Sequence, residues 1–323
     1  MSDLSLRGRV LITVAAAVVL AIGAVGYAVA AREKAAPPVT SDSFSITPGP
    51  RLLVVRGRYL ATVSADDPSR PAQQSAISCV RAYAAGGTGV CLRQDSMWTY
   101  SLHVLDSGLA ETNSFDVRGL PNRARVSSSG RMVSWTAFIS GESYNKGGFS
   151  TRTGILDTRT GDVAKSLETF AITRDGEPYQ AADVNFWGVT FTADDNRFYA
   201  TMATDGLRYL VQGDFASKTV RTITDNVECP SLSPDGTRIA FKQAIDDNPV
   251  NGWRLAVLDL ETLQVTTLAE KRSIDDQPAW LSGDTIGYTF RDSDGTPSVW
   301  ATSADGSGTP RLLVENAESP AGL

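Results

Sequence analysis

The sequence predicts an all-β fold: a β-propeller of six four-stranded blades, with seven blades as the alternative, preceded by one N-terminal transmembrane helix. Three observations support this prediction. An uncharged apolar segment lies near the N-terminus, almost no helical periodicity follows it, and a strand-and-turn pattern recurs at the length of a propeller blade. The composition, 42% hydrophobic and 20% charged over 323 residues, is that of a globular protein.

The N-terminal apolar segment, residues 10–31, contains no charged side chain. A helix of this length spans roughly 33 Å, which is enough to cross a bilayer core of about 30 Å. Arg7 and Arg9 precede it, so the positive-inside rule favours a cytoplasmic tail at residues 1–9 and an exported body. The alternative is a cleaved signal peptide and a secreted protein, since Ala28–Ala30 offers a small-x-small cleavage site.

Residues 32–49 are rich in Pro, Ser and Thr and predict a linker between the membrane and a propeller domain at residues 50–323. The repeat of that domain is clearest at residues 229–241, where two apolar runs flank a Ser-Pro-Asp-Gly turn. Pro presets the backbone for the turn, Asp bonds back to its backbone, and Gly adopts positive φ. The same pattern recurs in QPAWLSGDTIGYTF, WGVTFTADDNRFYATM, RARVSSSGRMVSWTAF and ISCVRAYAAGGTGVCLRQ.

Most of these turns are roughly 40–50 residues apart, the length of one four-stranded blade. One longer interval coincides with insertions at SGESYNKGG and RDGEPYQAADV. The sixth blade is split between the termini, because two strands within residues 51–64 have no partner before them and the C-terminal ENAESPAGL resembles a blade start. A C-terminal strand that joins this blade would close the ring without an open edge. A β-sandwich is disfavoured because it needs no such repeat.

The segments PSLSPDGTRIAF, PAWLSGDTIGYTF and DSDGTPSVW with DGSGTPRLL resemble the repeats of TolB-like, WD-repeat-like bacterial β-propellers. The resemblance covers residues 50–323 in pattern and reaches motif level in the last two copies. It implies an exported, non-enzymatic scaffold whose ring surface binds a protein or glycan partner in the cell envelope. The N-terminal domain of TolB has no counterpart in this sequence, where a predicted anchor stands instead. The resemblance therefore carries over the scaffold rather than TolB's own partners.

Several functional classes are disfavoured by composition. The net charge of −6 and the lack of a basic cluster argue against nucleic-acid binding. The single histidine, His103, would have to serve as the base of any Ser-His-Asp or Cys-His arrangement. It lies among apolar residues of a predicted strand, which favours a structural role and argues against a serine or cysteine hydrolase. We expect no catalytic residue, cofactor or metal site, since no CxxC or Cys/His pairing is present.

Long loops are the candidate binding regions, because loops that exceed a tight turn often carry function. Tyr144 lies in one such loop, and Asp246, Asp247 and Trp253 lie in or beside another. The alternative function is a carbohydrate-active enzyme that uses these loop carboxylates, since glycosidases need two carboxyl groups facing one cleft.

Cysteine usage is compatible with export. Cys79 and Cys91 flank a predicted hairpin, which places them within disulfide range in an oxidising compartment. The alternative is two small buried hydrophobic residues. Cys229 is expected to pack inside a strand.

Overall fold

Six β-sheets form the blades of a propeller in the computed structural model, which describes residues 44–139 and 150–323 together with Leu20. Six blades were predicted, and the prediction is confirmed. Blades 1 to 6 are numbered in chain order, and the four strands of a standard blade are counted from the inner to the outer strand. Consecutive strands within each standard blade are antiparallel, as the hairpin turns of the sequence require.

The strands of blades 1 to 3 have the following bounds. Blade 1 contains β1 (Arg51–Arg56), β2 (Tyr59–Ser64) and β3 (Gln73–Ser78). Blade 2 contains β4 (Arg81–Ala85), β5 (Thr88–Gln94), β6 (Tyr100–Leu105) and β7 (Glu111–Val117). Blade 3 contains β8 (Leu120–Val126), β9 (Met132–Ile139), β10 (Ser150–Asp157) and β11 (Val163–Ala164).

Blades 4 to 6 complete the ring. Blade 4 contains β12 (Ala171–Arg174), β13 (Glu177–Tyr179), β14 (Asn185–Phe191), β15 (Arg197–Thr204), β16 (Leu207–Asp214) and β17 (Thr219–Asp225). Blade 5 contains β18 (Glu228–Leu232), β19 (Arg238–Ala244), β20 (Trp253–Asp259) and β21 (Val265–Thr267). Blade 6 contains β22 (Ala279–Trp280), β23 (Thr285–Arg291), β24 (Pro297–Ser303) and β25 (Arg311–Glu315), and β26 (Ala317–Gly322) follows it. Short 3-10 helices lie at Leu167–Thr169, Ile245–Asp247 and Pro249–Asn251.

The ring closes by pairing the two ends of the propeller domain. The C-terminal strand β26 is the innermost strand of blade 1 and pairs antiparallel with β1, with Leu52 opposite Gly322 and Val55 opposite Glu318. Closure by a sequence-distant strand was expected from the unpartnered N-terminal strands, and the structure agrees. It leaves blade 1 without an open inner edge.

Blade 4 departs from the expectation of four strands in every blade. The hairpin β12–β13 adds to its outer edge, and β12 pairs parallel with β17, which gives a six-stranded sheet. The sequence treated this segment, RDGEPYQAADV, as a loop insertion. A three-residue strand, β13, is too short for its alternation to stand out from a loop.

The core lies between the blades because each sheet buries both of its faces. Ile239 and Phe241 of β19 pack into one cluster and Ala240, which points to the opposite face, into another. Phe44 and Ile46 are buried against blades 1 and 2, although the sequence assigned them to the linker at 32–49. Packed structure therefore begins upstream of residue 50, at least as early as Phe44.

The alternating strands give the propeller two distinct ends. Turns from first to second and from third to fourth strands lie at one end, called the turn face. Loops from second to third strands and the connections between blades lie at the other, called the loop face. Within residues 44–139 and 150–323 no helix is long and apolar enough to cross a bilayer. The predicted span at 10–31 falls outside the described residues except for Leu20.

Candidate functional site

Charged side chains gather where the central channel opens on the loop face. They come from all six blades, although the innermost strands that line the channel are otherwise neutral or apolar in large part. We call them the mouth cluster: Arg81, Arg123, Arg125, Arg208, Glu228, Lys242, Asp275, Asp276, Arg291 and Glu318. Buried charges are retained in proteins only when other charges or hydrogen bonds compensate them, so the contacts within this cluster determine its chemistry.

Lys242 is the most enclosed cation of the mouth cluster. Its side chain is 5% exposed, and its Nζ lies 3.1 Å from a carboxylate oxygen of Glu228 and also contacts the carboxylate of Asp275. The ring of Trp253 covers the ammonium group at 4.1 Å, a cation–π contact. Burial acts to lower the pKa of Lys242, but the neighbouring negative charges raise it above its ordinary value. Lys242 therefore stays charged, and Glu228 also pairs with Arg208.

The two arginines of β8 line a small cavity beside this ion network. Arg123 lies 3.4 Å from the carboxylate of Asp276. Arg125 donates to the carbonyl oxygen of Pro278, and its guanidinium stacks over the ring of Tyr83 at 4.3 Å. Burial acts to raise the pKa of Asp276, but the charges of Arg123 and Arg81 and the hydrogen bonds of the carboxylate together outweigh it and hold that pKa below its usual range.

A second ion-pair group closes the rim between blades 2, 1 and 6. One carboxylate oxygen of Glu318, on β26, accepts hydrogen bonds from Arg81 at 2.8 Å and Arg291 at 2.5 Å. Because Glu318 belongs to the C-terminal strand, these bonds tie the closing strand to its neighbours on either side. The mouth cluster is thus part of the ring closure as well as the lining of the channel.

The loop candidates from the sequence occupy different surroundings. Asp246 and Asp247 are exposed in the 3-10 segment, both with left-handed backbone angles (φ of 52° and 55°), and Asp247 accepts a hydrogen bond from Asn226. Trp253 is half-buried and contributes its ring to Lys242. Tyr144 lies outside the described residues. The structure therefore joins Trp253 to the mouth cluster and leaves Asp246 facing solvent.

His103 belongs to a hydrogen-bonded chain in blade 2 that sequence reasoning did not anticipate. Its Nε2 lies 2.7 Å from Ser101 Oγ and its Nδ1 2.6 Å from Glu111 Oε2, and Ser101 donates to Asp95 at 2.9 Å. The hydrogen bonds from Ser114 and His103 lower the pKa of Glu111. The three residues have the order of a Ser-His-Glu triad, and the i, i+2 spacing of Ser101 and His103 on one strand is the signal that could have revealed the contact.

The surroundings of Ser101 do not suit acyl transfer. Ser101 is 7% exposed, and it is the second residue of β6, paired with Arg93 on one side and Asp116 on the other. A nucleophile needs free backbone N–H groups nearby to stabilise an oxyanion, and in a central strand these groups are used by the sheet. The arrangement is a polar chain that runs from the exposed Asp95 through the buried Ser101 and His103 to the exposed Glu111, and it links the third and fourth strands of blade 2.

The three cysteines differ in oxidation state. Cys79 and Cys91 form a disulfide with their Cα atoms 5.4 Å apart, linking the connection after blade 1 to the second strand of blade 2. Cys229 is a free, buried thiol on the inner strand β18, and burial raises its pKa. In the parts of the chain that the structure describes, no group of three His, Cys, Asp or Glu side chains could hold a metal ion.

Large apolar side chains are exposed on the loop face. Trp98 is 83% exposed and Met97 73% exposed in the loop between β5 and β6, and Val250 is 91% exposed in the loop between β19 and β20. Leu120 and Leu207 lie at the loop-face ends of their strands and are 55% and 45% exposed. Sequence reasoning missed Trp98; the only signal was two adjacent apolar residues inside a polar loop, DSMWT.

Comparison with solved structures supports the fold. TolB from Acinetobacter baumannii is similar with a TM-score of 0.63 at 17% identity, over 85% of this chain and 67% of that chain. A structure assigned to TolB from Agrobacterium tumefaciens has a TM-score of 0.50 at 14% identity, over 82% and 88%. A chain of the nidogen/laminin complex has a TM-score of 0.53 at 12% identity, over 84% and 98%. No family model and no curated protein matches the sequence. At these identities the similarity establishes a TolB-like β-propeller fold.

Proposed function

We propose that this protein is a membrane-anchored, extracytoplasmic, non-enzymatic scaffold that binds a protein partner through the loop face of its propeller. The observation that carries the proposal is the exposure of Trp98, Met97 and Val250 on that face. Exposed tryptophan is costly to leave in water and is enriched among the residues that dominate binding energy. The partner would cover these three exposed side chains, called the apolar rim, which lie on the same face as the charged channel mouth.

The fold supports this proposal through the resemblance to TolB-like propellers, which implies an exported scaffold. The uncharged segment 10–31 supports the anchor and the export of the body. The disulfide between Cys79 and Cys91 is compatible with an oxidising compartment, where such bonds persist. Each of these three supports is independent of the apolar rim.

Site-specific photo-crosslinking tests the binding face. A photoreactive residue at position 97, on the loop face, is compared in intact cells with one at position 265, where Val265 is 44% exposed on an outer strand. We expect one protein band from position 97 and none from position 265. Once that protein is identified and purified, Trp98→Ala should weaken its binding by about tenfold or more, and Val265→Ala should leave it unchanged.

Three results would oppose the proposal. Equal crosslinking from both positions would show that crosslinking at the loop face is not specific. The absence of a band from position 97 would show that no protein binds at this part of the loop face. Turnover of a glycan by the purified chain, abolished by Asp246→Asn or Asp247→Asn, would replace the scaffold with the carbohydrate-active enzyme.

The location is tested separately with a reporter fused after residue 40. A phosphatase reporter that is active only outside the cytoplasm should be active there, because the anchor places the body across the membrane. Activity of a cytoplasm-specific reporter at the same position would overturn the export of the propeller. Release of the fusion into the medium would favour the cleaved signal peptide over the anchor.

A further inference from the structure

The mouth cluster carries more positive than negative charge. The cluster contains six cations and four carboxylates. Lys242 and Arg208 are matched by Glu228 and Asp275, so this half of the cluster is neutral. The excess therefore lies in the other half, with Arg81, Arg123, Arg125 and Arg291 against Asp276 and Glu318.

Within that half, Glu318 serves the two arginines of the rim, Arg81 and Arg291. Asp276 is then the only carboxylate of the cluster left for Arg123 and Arg125, and its contact is with Arg123. The partners found for Arg125 are a backbone carbonyl oxygen and an aromatic ring, neither of which carries a negative charge. One buried guanidinium in this half thus has no counter-charge of its own within the cluster.

The hydrogen bonds of Arg123 and Arg125 are incomplete in the same place. Arg123 is 8% exposed and Arg125 6% exposed, yet the buried Nε–H of each has no acceptor among the described residues. Burying a donor of a charged group without an acceptor is costly, so proteins satisfy nearly all of them. Both side chains line the same cavity together with Arg81, Asp276 and Ser319.

The size of this cavity limits what could bind in it. Its volume is about 20 Å³, which is space for one group about as large as a water molecule. A halide ion or the oxygens of one carboxylate would fit, whereas a phosphorylated metabolite or a sugar would not. A carboxylate also matches the planar, forked donor geometry of a guanidinium.

We propose that the channel mouth contains a binding site for one small monovalent anion, held between Arg123 and Arg125 of β8. The class includes free formate or chloride and the carboxylate of an acidic side chain from a bound protein, which share this chemistry. The site goes beyond the proposed scaffold function, because it follows from the charges and donors of the channel and not from the apolar rim. Anion binding completes the counter-charge of Arg125 and the hydrogen bonds of both arginines.

Thermal unfolding of the purified full-length chain tests the site. Sodium formate or chloride is titrated at constant ionic strength against the bulky anion of MES, which is too large for the cavity. We expect a saturable rise in Tm of about 5 °C at one hundred times Kd, since a ligand that binds only the folded state stabilises it. Arg125→Gln should abolish the rise, and Arg311→Gln, an exposed residue of the outer strand β25, should retain it.

A second measurement covers the case in which Arg125→Gln fails to fold. Crystals of the wild-type chain soaked in bromide should show an anomalous peak between Arg123 and Arg125. An equal rise in Tm for Arg125→Gln and the wild type, or the absence of a bromide peak between the two arginines, would overturn the proposal.

The two sources of the anion are separated with a short peptide. Acetyl-Gly-Glu-Gly-amide is compared with its Gln counterpart in competition with formate. Competition by the Glu peptide alone supports the site and assigns it to an acidic side chain of a partner. A rise in Tm with formate that neither peptide competes for supports the site and assigns it to a free anion.

Discussion

The two ends of the propeller use charged residues in opposite ways. On the turn face, several carboxylates bond to the backbone of their own turn: Asp235 accepts from the N–H of Thr237, and Asp259 from those of Glu261 and Thr262. On the loop face, carboxylates bond to cations of other strands and other blades, with the mouth cluster as the result. The same residue types therefore specify local turns at one end and the closure of the ring at the other.

The turn carboxylates named above make contacts of short sequence range, whereas those of the mouth cluster make contacts of long sequence range. A turn carboxylate such as Asp235 bonds to residues within two or three positions of it, so this contribution depends little on the rest of the ring. Glu228, by contrast, pairs with two cations on other strands, the buried Lys242 and the half-buried Arg208. We expect substitutions on the loop face to cost much more stability than equivalent substitutions on the turn face.

The largest effect is expected from Glu228→Gln. It removes the charge shared by Lys242 and Arg208 and leaves buried cations under-compensated, which costs about 3–5 kcal/mol in comparable sites. Urea unfolding of the variant measures the loss, with Glu261→Gln, on an exposed turn of the turn face, as the control. A loss below about 1 kcal/mol, the range of surface pairs, would show that water screens the mouth cluster.

The disulfide should have the next largest effect. Cys79 and Cys91 are separated by 12 positions, and closing a loop of this size stabilises the folded chain by about 3 kcal/mol. The double variant Cys79→Ala/Cys91→Ala should lower the free energy of unfolding by about that amount. A reductant should destabilise the wild type and leave the double variant unaffected. If the reductant leaves the wild type unaffected as well, the bridge does not contribute in solution.

Whether a feature could be predicted from the sequence also depends on whether its contacts are short or long in sequence range. The turns at Asp235 and Asp284 and the strands around them could be predicted because the determinants are adjacent in sequence. The number of blades followed from the repeat of these units. The mouth cluster could not be predicted, because Arg123 and Asp276 are far apart in sequence and nothing local marks either as buried. The hairpin β12–β13 was missed for a different reason, its length, and Trp98 because one exposed aromatic residue has no periodicity.

The turn-face carboxylate of Asp157 combines both kinds of contact, an ion pair with Arg131 and hydrogen bonds from its own turn, and it should make the stability depend on acid pH. Arg131 holds the pKa of Asp157 well below its ordinary value, against the opposing effect of burial, and the N–H groups of the following turn add to this. A carboxyl group with a lower pKa in the folded state stabilises the fold above the unfolded pKa of about 3.9 and loses this contribution as the pH falls. The free energy of unfolding should therefore decrease below about pH 4.

Asp157→Asn provides the measurement. At pH 7 the variant should lose about 2 kcal/mol, the value typical of hydrogen bonds to charged groups. Its acid-dependent decrease in stability should be shallower than that of the wild type. Parallel pH profiles for the two proteins would exclude Asp157 as a source of the acid dependence.

The smallest effect is expected at the turn that made the repeat recognisable. Hydrogen bonds from Ser233 and Thr237 lower the pKa of Asp235 to about 2. The side chain is 54% exposed, so solvent screening limits its contribution to about 1 kcal/mol. Asp235→Ala should cost this amount at pH 7 and less at pH 2, where the carboxyl group is about half protonated in the folded state. Asp116→Ala, on the exposed outer strand β7, is the matched control. A cost at pH 7 as large as that of Glu228→Gln would mean that the turn supports the ring as a whole, and the contrast between the two faces would fail.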